Sequence, residues 1–294
     1  METIESLRSR ISVAEDLHSV VKTMKGLAAV SIRQYERAVE SLTDYSRTIE
    51  LGFQILLRQL SFVALQEETQ VEGKIAAIVF GSDQGMCGPF NRQIVSHALA
   101  HFEDMSAERE RLLFATVGGR VRTELEAADW PVADSFTLPG AVTGIETTVE
   151  DILVGVERWR VEQGVDQIML FHHRPSSGAS YEPRTVYLFP VDVKWISSLR
   201  ERPWPTHMLP AFSMDWNDLF ASLVQQYLRV VLFRALAESL ASENASRLAS
   251  MQAAEKNIEE RIGRLRTRFH QFRQASITEE LLDVVSGYEA LSTE

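Results

Sequence analysis

Several groups of residues in this 294-residue chain have side chains and spacings that chemistry could use. The segment Gly81-Ser82-Asp83-Gln84-Gly85-Met86-Cys87-Gly88-Pro89 follows an apolar run and precedes a helical pattern, the place where a doubly wound fold often holds a ligand. It lacks the Gly-Lys-Ser/Thr ending of a P-loop and the GxGxxG spacing of a dinucleotide site, so a tight structural turn outranks nucleotide binding. Cys87 as a nucleophile needs a base, and none is near in sequence, which favours a buried or half-buried thiol. His97 and His101 stand one helical turn apart, and His172-His173 end a strand pattern. With no Cys/His cluster at metal spacing beside them, these read as solvated or capping histidines. Glu259-Glu260 and Glu279-Glu280 fall on long polar helix faces, where salt-bridge and solvation roles outrank acid catalysis. No active site emerges, and neither a metal nor a cofactor is expected. The arginines are the better lead: the chain uses 25 Arg against five Lys, and Arg261, Arg264, Arg266 and Arg268 crowd one stretch near the C-terminus. Part of that is a solvated face; the rest suits bidentate contact with carboxylates on a partner.

The elements that position these residues follow from where helix breakers lie. All nine prolines fall between Pro89 and Pro210, and 11 of 15 glycines between Gly73 and Gly178. Proline costs roughly 3 kcal/mol inside a helix, so the proline-free ends predict two long helices around a compact middle. The N-terminal pattern runs Ile4, Leu7, Ile11, Ala14, His18, Val21, Lys25, Ala28, Ile32, Tyr35, Val39, Leu42, Ser46, Ile49, Phe53, Leu56, Leu60 and Val63, a 4,3 repeat broken only by His18, Lys25 and Ser46. So long a strict heptad signals a left-handed coiled coil, about 90 Å of rod at 1.5 Å per residue. Its partner lies at the other end: Trp216 to Val230, Ile258 to Phe272 and Ile277 to Leu291 repeat the spacing, with slips at 241–246 and at Ala275-Ser276. Helices at opposite ends of one chain pair antiparallel. The C-terminal helix, roughly 115 Å at 1.5 Å per residue, outruns the N-terminal one, so its amphipathic tip needs another protein to cover it.

Between them, apolar runs at Lys74–Phe80, Arg111–Val117, Val165–His172 and Arg184–Val193 alternate with helical patterns at Asn91–Met105, Gly119–Ala128 and Glu146–Gln163. This predicts an α/β layer with mostly parallel strands. The expected plan is an N-terminal coiled-coil helix over 1–66, a Rossmann-like α/β domain over 74–210 and a C-terminal coiled-coil helix over 211–291. The net charge of −11 falls mainly on the middle domain and argues against general nucleic-acid binding. A single cysteine excludes an internal disulfide, the charged METIESLRSR start shows no signal or transit peptide, and no segment reads as a membrane span. A soluble, cytoplasmic protein is expected.

Three blocks resemble the gamma subunit of F-type ATP synthases. They are Val21-Lys22-Thr23-Met24-Lys25-Gly26-Leu27-Ala28-Ala29; Ser82-Asp83-Gln84-Gly85-Met86-Cys87-Gly88-Pro89-Phe90-Asn91; and a run from Ala241-Ser242-Glu243-Asn244 through Arg247-Leu248-Ala249-Ser250-Met251 and Asn257 to Arg273-Gln274-Ala275-Ser276-Ile277-Thr278-Glu279-Glu280-Leu281 and Gly287. Gly26, Val30-Ser31, His270 and Tyr288 depart from the family pattern and suggest a divergent branch, such as an alternative F-type ATPase. The cysteine-bearing insertion of chloroplast forms is not visible, so thiol control is not expected. The resemblance implies a central-stalk rotor without chemistry of its own. It couples ion flow through the membrane c ring to ATP synthesis or hydrolysis in the alpha/beta hexamer, one copy per complex, beside the epsilon subunit on the cytoplasmic side of the membrane. It further implies that Arg247, Arg273, Gln274, Thr278 and Glu280 touch the hexamer, with Met24 and Lys25 facing the same region. Two other readings are a coiled-coil adaptor outside any ATPase and an α/β enzyme using the 81–90 loop.

Overall fold

The computed structural model describes residues 3–59, 73–176, 180–191, 193–205, 207–208 and 213–292. Helix α1 (Ile4–Gln59) starts on a reciprocal cap: the Ser6 N–H donates to Thr3 Oγ1 at 3.2 Å and the Thr3 N–H to Ser6 Oγ at 3.1 Å. Helix α6 (Trp216–Ser292) starts behind Asp215, whose Oδ1 accepts the Asn217 N–H at 2.9 Å. Between them come β1 (Lys74–Phe80), α2 (Phe90–Asp104), β2 (Leu112–Val117), α3 (Gly119–Ala127), β3 (Val132–Phe136), α4 (Ile145–Gln163), β4 (Val165–Pro175), β5 (Tyr181–Phe189) and α5 (Val193–Glu201). The predicted seam residues Leu60 and Val63 lie outside the described residues.

The sheet has the order β3-β2-β1-β4-β5; β1 is parallel to β2 and β4, β2 to β3, and β5 is antiparallel to β4. Side chains alternate across the strands. Ile75, Ala77, Val79, Phe114, Met169 and Phe171 face α2 and α3, whereas Ala76, Ile78, Phe80, Ala115, Ile168 and Leu170 face α4 and α6. The result is three layers, a Rossmann-like arrangement with part of a long helix serving as one covering element.

Three local expectations need correction. Strand β3 has only five residues and follows Pro131, too short for its alternation to stand out. The last strand occupies Tyr181–Phe189 and not 184–193: it pairs back on β4 with His172 opposite Arg184, and stops before Pro190, which has no N–H to give the ladder. Val193 opens α5, whose Trp195 and Leu199 sit one turn apart and pack inward. In addition, α6 contains a stretch long and apolar enough, by length and composition, to cross a membrane, where the sequence reading found none. Its Leu223, Val224, Tyr227, Leu228, Val231, Leu232 and Leu236 pack against the protein's own clusters, most of them half-buried.

The chain forms two compact units, Met1–Ala28 with Leu248–Glu294, and Ala29–Arg247. In the first, Leu7, Ala14, Val21 and Ala28 of α1 and Met251, Ile262 and Leu265 of α6 are buried. In the second, α1 and α6 close on Phe53, fully buried, whose ring meets Trp195, Phe220 and Tyr227 edge-on at 5.9, 6.2 and 6.2 Å. Along α1 no described seam position from Ile4 to Leu56 is exposed. Truncating so enclosed a ring leaves a void its neighbours cannot fill. Phe53→Ala is expected to lower unfolding stability by about 3–5 kcal/mol in urea titrations, and a loss below about 1 kcal/mol would contradict this packing.

Candidate partner-contact surfaces

In the unit formed by Met1–Ala28 and Leu248–Glu294, the polar breaks in the seam are cross-helix pairs. His18 Nε2 lies 3.2 Å from Glu259 Oε1, Lys25 Nζ donates to Glu255, and Arg266 Nη2 donates to Glu15 at 2.6 Å. The partner number falls as the α1 number rises, so the pairing is antiparallel, as expected. The Lys25 hydrogen bond, with Lys25, His18 and Lys22 charge behind it, holds the Glu255 carboxyl below the usual carboxylate range. Lys25 therefore points across to α6, and Met24 beside it is half-buried.

The other predicted contacts in this unit lie near the end of α6. Arg273, Gln274, Thr278 and Glu280 are exposed. Thr278 spends its hydroxyl on the Gln274 carbonyl at 2.9 Å within the helix. Arg273 and Glu280 border a hollow with Ile4, Arg8, Phe269 and Ile277, while Gln274 and Thr278 border another on an adjacent face with Gln271 and Leu282. Since α1 begins at Ile4, beside Ser276 and Ile277, α6 continues past the end of its partner. Ile277, Leu281, Leu282, Val284 and Val285 there are between 47% and 70% exposed. Bare apolar side chains grouped in this way are the general mark of an interaction surface.

Arg247 belongs to the other unit and turns inward. Its Nη2 donates to Glu243 at 2.5 Å and its Nη1 lies 3.5 Å from Asn244 Oδ1. Burial pushes the Glu243 carboxyl up, against the pull of Arg247, and burial together with the Glu243 charge raises the Tyr35 phenol.

The loop between β1 and α2 is closed on itself. Asn91 Oδ1 accepts the Ser82 N–H at 2.9 Å and Asn91 Nδ2 donates to Ser82 Oγ at 2.8 Å; Asp83 Oδ1 accepts the Gly119 N–H at 2.7 Å. Cys87 is buried, with its sulfur 3.5 Å from Ser82 Oγ, and its carbonyl accepts the Ser246 hydroxyl at 2.5 Å. A Cβ on Gly81 would come within 2.3 Å of Val121 Cβ. The polar residues of this segment thus lock the turn and dock it on α6, in keeping with a structural turn.

Sequence reasoning missed the polar stripe of α6. Every residue from Ala235 to Ser246 is buried. Glu238 Oε2 lies 2.9 Å from His172 Nε2, and Ser246 Oγ lies 2.9 Å from the Tyr181 hydroxyl. Of the four histidines expected to be solvated or capping, His172 and His173 are buried instead. His172 meets Glu238; His173 lies between Phe90 and Tyr181, centroids 4.3 and 4.8 Å away, with neither ring nitrogen hydrogen-bonded. The signal lay in β4, where the strand continues through both histidines to Pro175. His97 is half-buried and contacts Thr185 Oγ1 at 3.0 Å; Glu259 faces His18.

Comparison with known proteins gives one answer throughout. The family model described as ATP synthase matches residues 3–291. The ATP synthase gamma chain of Anaeromyxobacter dehalogenans (strain 2CP-C) is 28% identical over 99% of this chain and 100% of its own length, and that of Nostoc sp. (strain PCC 7120 / SAG 25.82 / UTEX 2576) is 28% identical with the same coverage. Among solved structures, a chain of the Euglena gracilis mitochondrial ATP synthase assembly of OSCP, F1 and c-ring superposes with a TM-score of 0.65 at 14% identity, covering 98% of this chain and 94% of that one. At that identity it speaks for the fold.

The buried imidazole carries a pH signature. Burial, with smaller contributions from His172 and His97, pushes His173 from its ordinary 6.5 down to about 3. It stays neutral in the folded chain while the unfolded chain takes up a proton, so stability falls as pH drops from 6.5 towards 3, by at most about 1.4 kcal/mol per pH unit. In urea titrations His173→Phe is expected to lose about 2 kcal/mol less than the wild type between pH 7.5 and 5. Parallel pH profiles would refute a neutral buried His173.

Proposed function

This chain belongs to the ATP synthase gamma-chain family, and from that premise we propose how its surfaces serve as the central stalk of an F-type ATP synthase. The gamma chain is the rotor element of that complex, coupling ion flow through the c ring to ATP synthesis or hydrolysis in the alpha/beta hexamer. In our reading it carries no bond-making chemistry. One copy sits peripherally on the cytoplasmic side of the membrane, with the epsilon subunit beside it.

The observation that supports this reading best is the overhang of α6. Two helices locked by a heptad seam and by cross-helix pairs such as Lys25–Glu255 resist twisting, and beyond Ile4 one helix alone presents Ile277, Leu281 and Val284. The bare stripe covers one side of the tip, so subunits placed around it meet different faces. Each orientation then favours a different conformation in each neighbour through differential contact energy, which is how rotation biases sites that it never enters.

We assign direct contact with the hexamer to Arg273, Gln274, Thr278 and Glu280, whose exposure leaves them available. Met24, Lys25 and Arg247 act one step removed: each is partly or largely covered and fixes the backbone from which contacts project. The self-locked 81–90 loop offers little to a nucleotide, which weighs against the enzyme reading.

Co-expression with alpha, beta and epsilon subunits tests the assignment. A photocrosslinker at Gln274 is expected to capture alpha or beta subunit, whereas one at Arg122 on α3 is expected to capture neither. The double change Leu281→Asp/Val284→Asp should weaken assembly about tenfold or more, the equivalent of about 1.4 kcal/mol, with the melting temperature of the isolated chain unchanged. Unimpaired assembly would remove the tip from the contact surface.

A further inference from the structure

A groove in the Ala29–Arg247 unit is lined by more cations than acids. It lies between α1, α5, α6 and the edge strand β5. One part, about 250 Å³, is walled by Trp195, Tyr227, His172 and Arg184; a second, about 400 Å³, by Arg47, Arg202 and Pro203; Ser46, Glu50 and Arg234 border both. Two acids face it and both are engaged: Glu50 accepts from Arg202 Nη1 at 2.7 Å, and Glu238 lies 2.9 Å from His172 Nε2. Arg234 Nη2 reaches the Ser46 hydroxyl at 3.1 Å, while its Nε is buried with no hydrogen-bond partner, and so is His172 Nδ1. Among the described residues, Arg47, Arg184 and Arg234 have no carboxylate within pairing distance.

The chain as a whole is acidic, with a net charge of −11, and Arg229, five residues before Arg234 on the same helix, pairs with both Glu146 and Glu150, whereas Arg234 is half-buried with no acid paired to it among the described residues. A half-buried guanidinium with an unmade N–H is costly unless an anion meets it. Arg234 borders both parts of the groove, with Arg184 on the first and Arg47 on the second, and so many donors exceed what the two oxygens of a carboxylate can accept. A tetrahedral oxyanion matches them, through the fork geometry that arginine offers phosphate.

We propose that this groove binds a phosphate group, held by Arg234 at its centre with Arg47 and Arg184 at its two ends. The same chemistry could be presented by a soluble phosphate or by a phospholipid headgroup, and the test has an arm for each. Inorganic pyrophosphate is titrated calorimetrically into the full chain at low salt, and flotation is measured with phosphatidylglycerol vesicles against phosphatidylcholine vesicles. Arg234→Gln is expected to weaken binding about tenfold or more in whichever arm shows it, and Arg47→Gln several-fold. Arg122→Gln, which alters an exposed pair on α3, is the control and should leave binding unchanged. Raising the salt should weaken binding, since exposed guanidiniums contribute. Loss on Arg234→Gln in the calorimetric arm identifies a soluble ligand, and loss in the vesicle arm a headgroup. If Arg234→Gln fails to fold by circular dichroism, the exposed Arg47→Gln decides. Absence of binding in both arms, or equal binding by the arginine variants and the Arg122→Gln control, would overturn the proposal.

Discussion

The pairing of two helices from opposite ends of the chain is the constraint on which the rest depends. Neither helix has enough of its own turn-to-turn interactions to stand alone; each carries an apolar seam that only the other can cover. The two sides of one contact, Lys25 and Glu255, lie 230 residues apart. Closing so long a loop costs entropy that grows only logarithmically with length, and the α/β domain between them shortens the effective search by folding as a body of its own. The same seam decides which residues can be polar. His18, Lys25 and Ser46 interrupt it without penalty because each meets a partner on α6, in Glu259, Glu255 and Arg234. Such layers add little stability at a half-exposed interface but fix register, since a slip by one heptad would separate every pair.

Inside the α/β unit the same helix lives under another rule. From Ala235 to Ser246 it is covered on all sides, and apart from the buried Ser239 hydroxyl its side-chain polar atoms are matched one by one. Glu238 answers His172, Glu243 answers Arg247, and Ser246 answers both the Cys87 carbonyl and Tyr181. Because the self-locked loop after β1 is one of those partners, helix and loop hold one another. A central stalk needs this rigidity, since torque applied to the helix has to reach the domain without being absorbed by slippage between them.

The heptad seam and the plan of two long helices around an α/β middle could be read directly, because they rest on periodicities repeated many times. What escaped was local or reciprocal. Strand β3 is too short for alternation to show. Helix α5 lies between an apolar run that read as strand and the helix breakers Pro203 and Pro205. The antiparallel return of β5 depends on pairing, which no single segment displays. Of the contact residues, the exposure of Arg273 and Gln274 agrees with a helix that outruns its partner. The inward turn of Arg247 could not be foreseen, since its direction is set by Glu243 one turn before it and by how closely Tyr35 approaches. The burial of His172 and His173 was hidden because histidine at a strand end is compatible with both solvent and core.

Rotation is the central claim, and it can be watched. In an immobilised complex of this chain with its alpha and beta subunits, a bead attached to a cysteine introduced at the exposed Arg122 of α3 should turn in one direction, in discrete steps, when ATP is added. A complex that hydrolyses ATP at the same rate while the bead stays still would contradict the account.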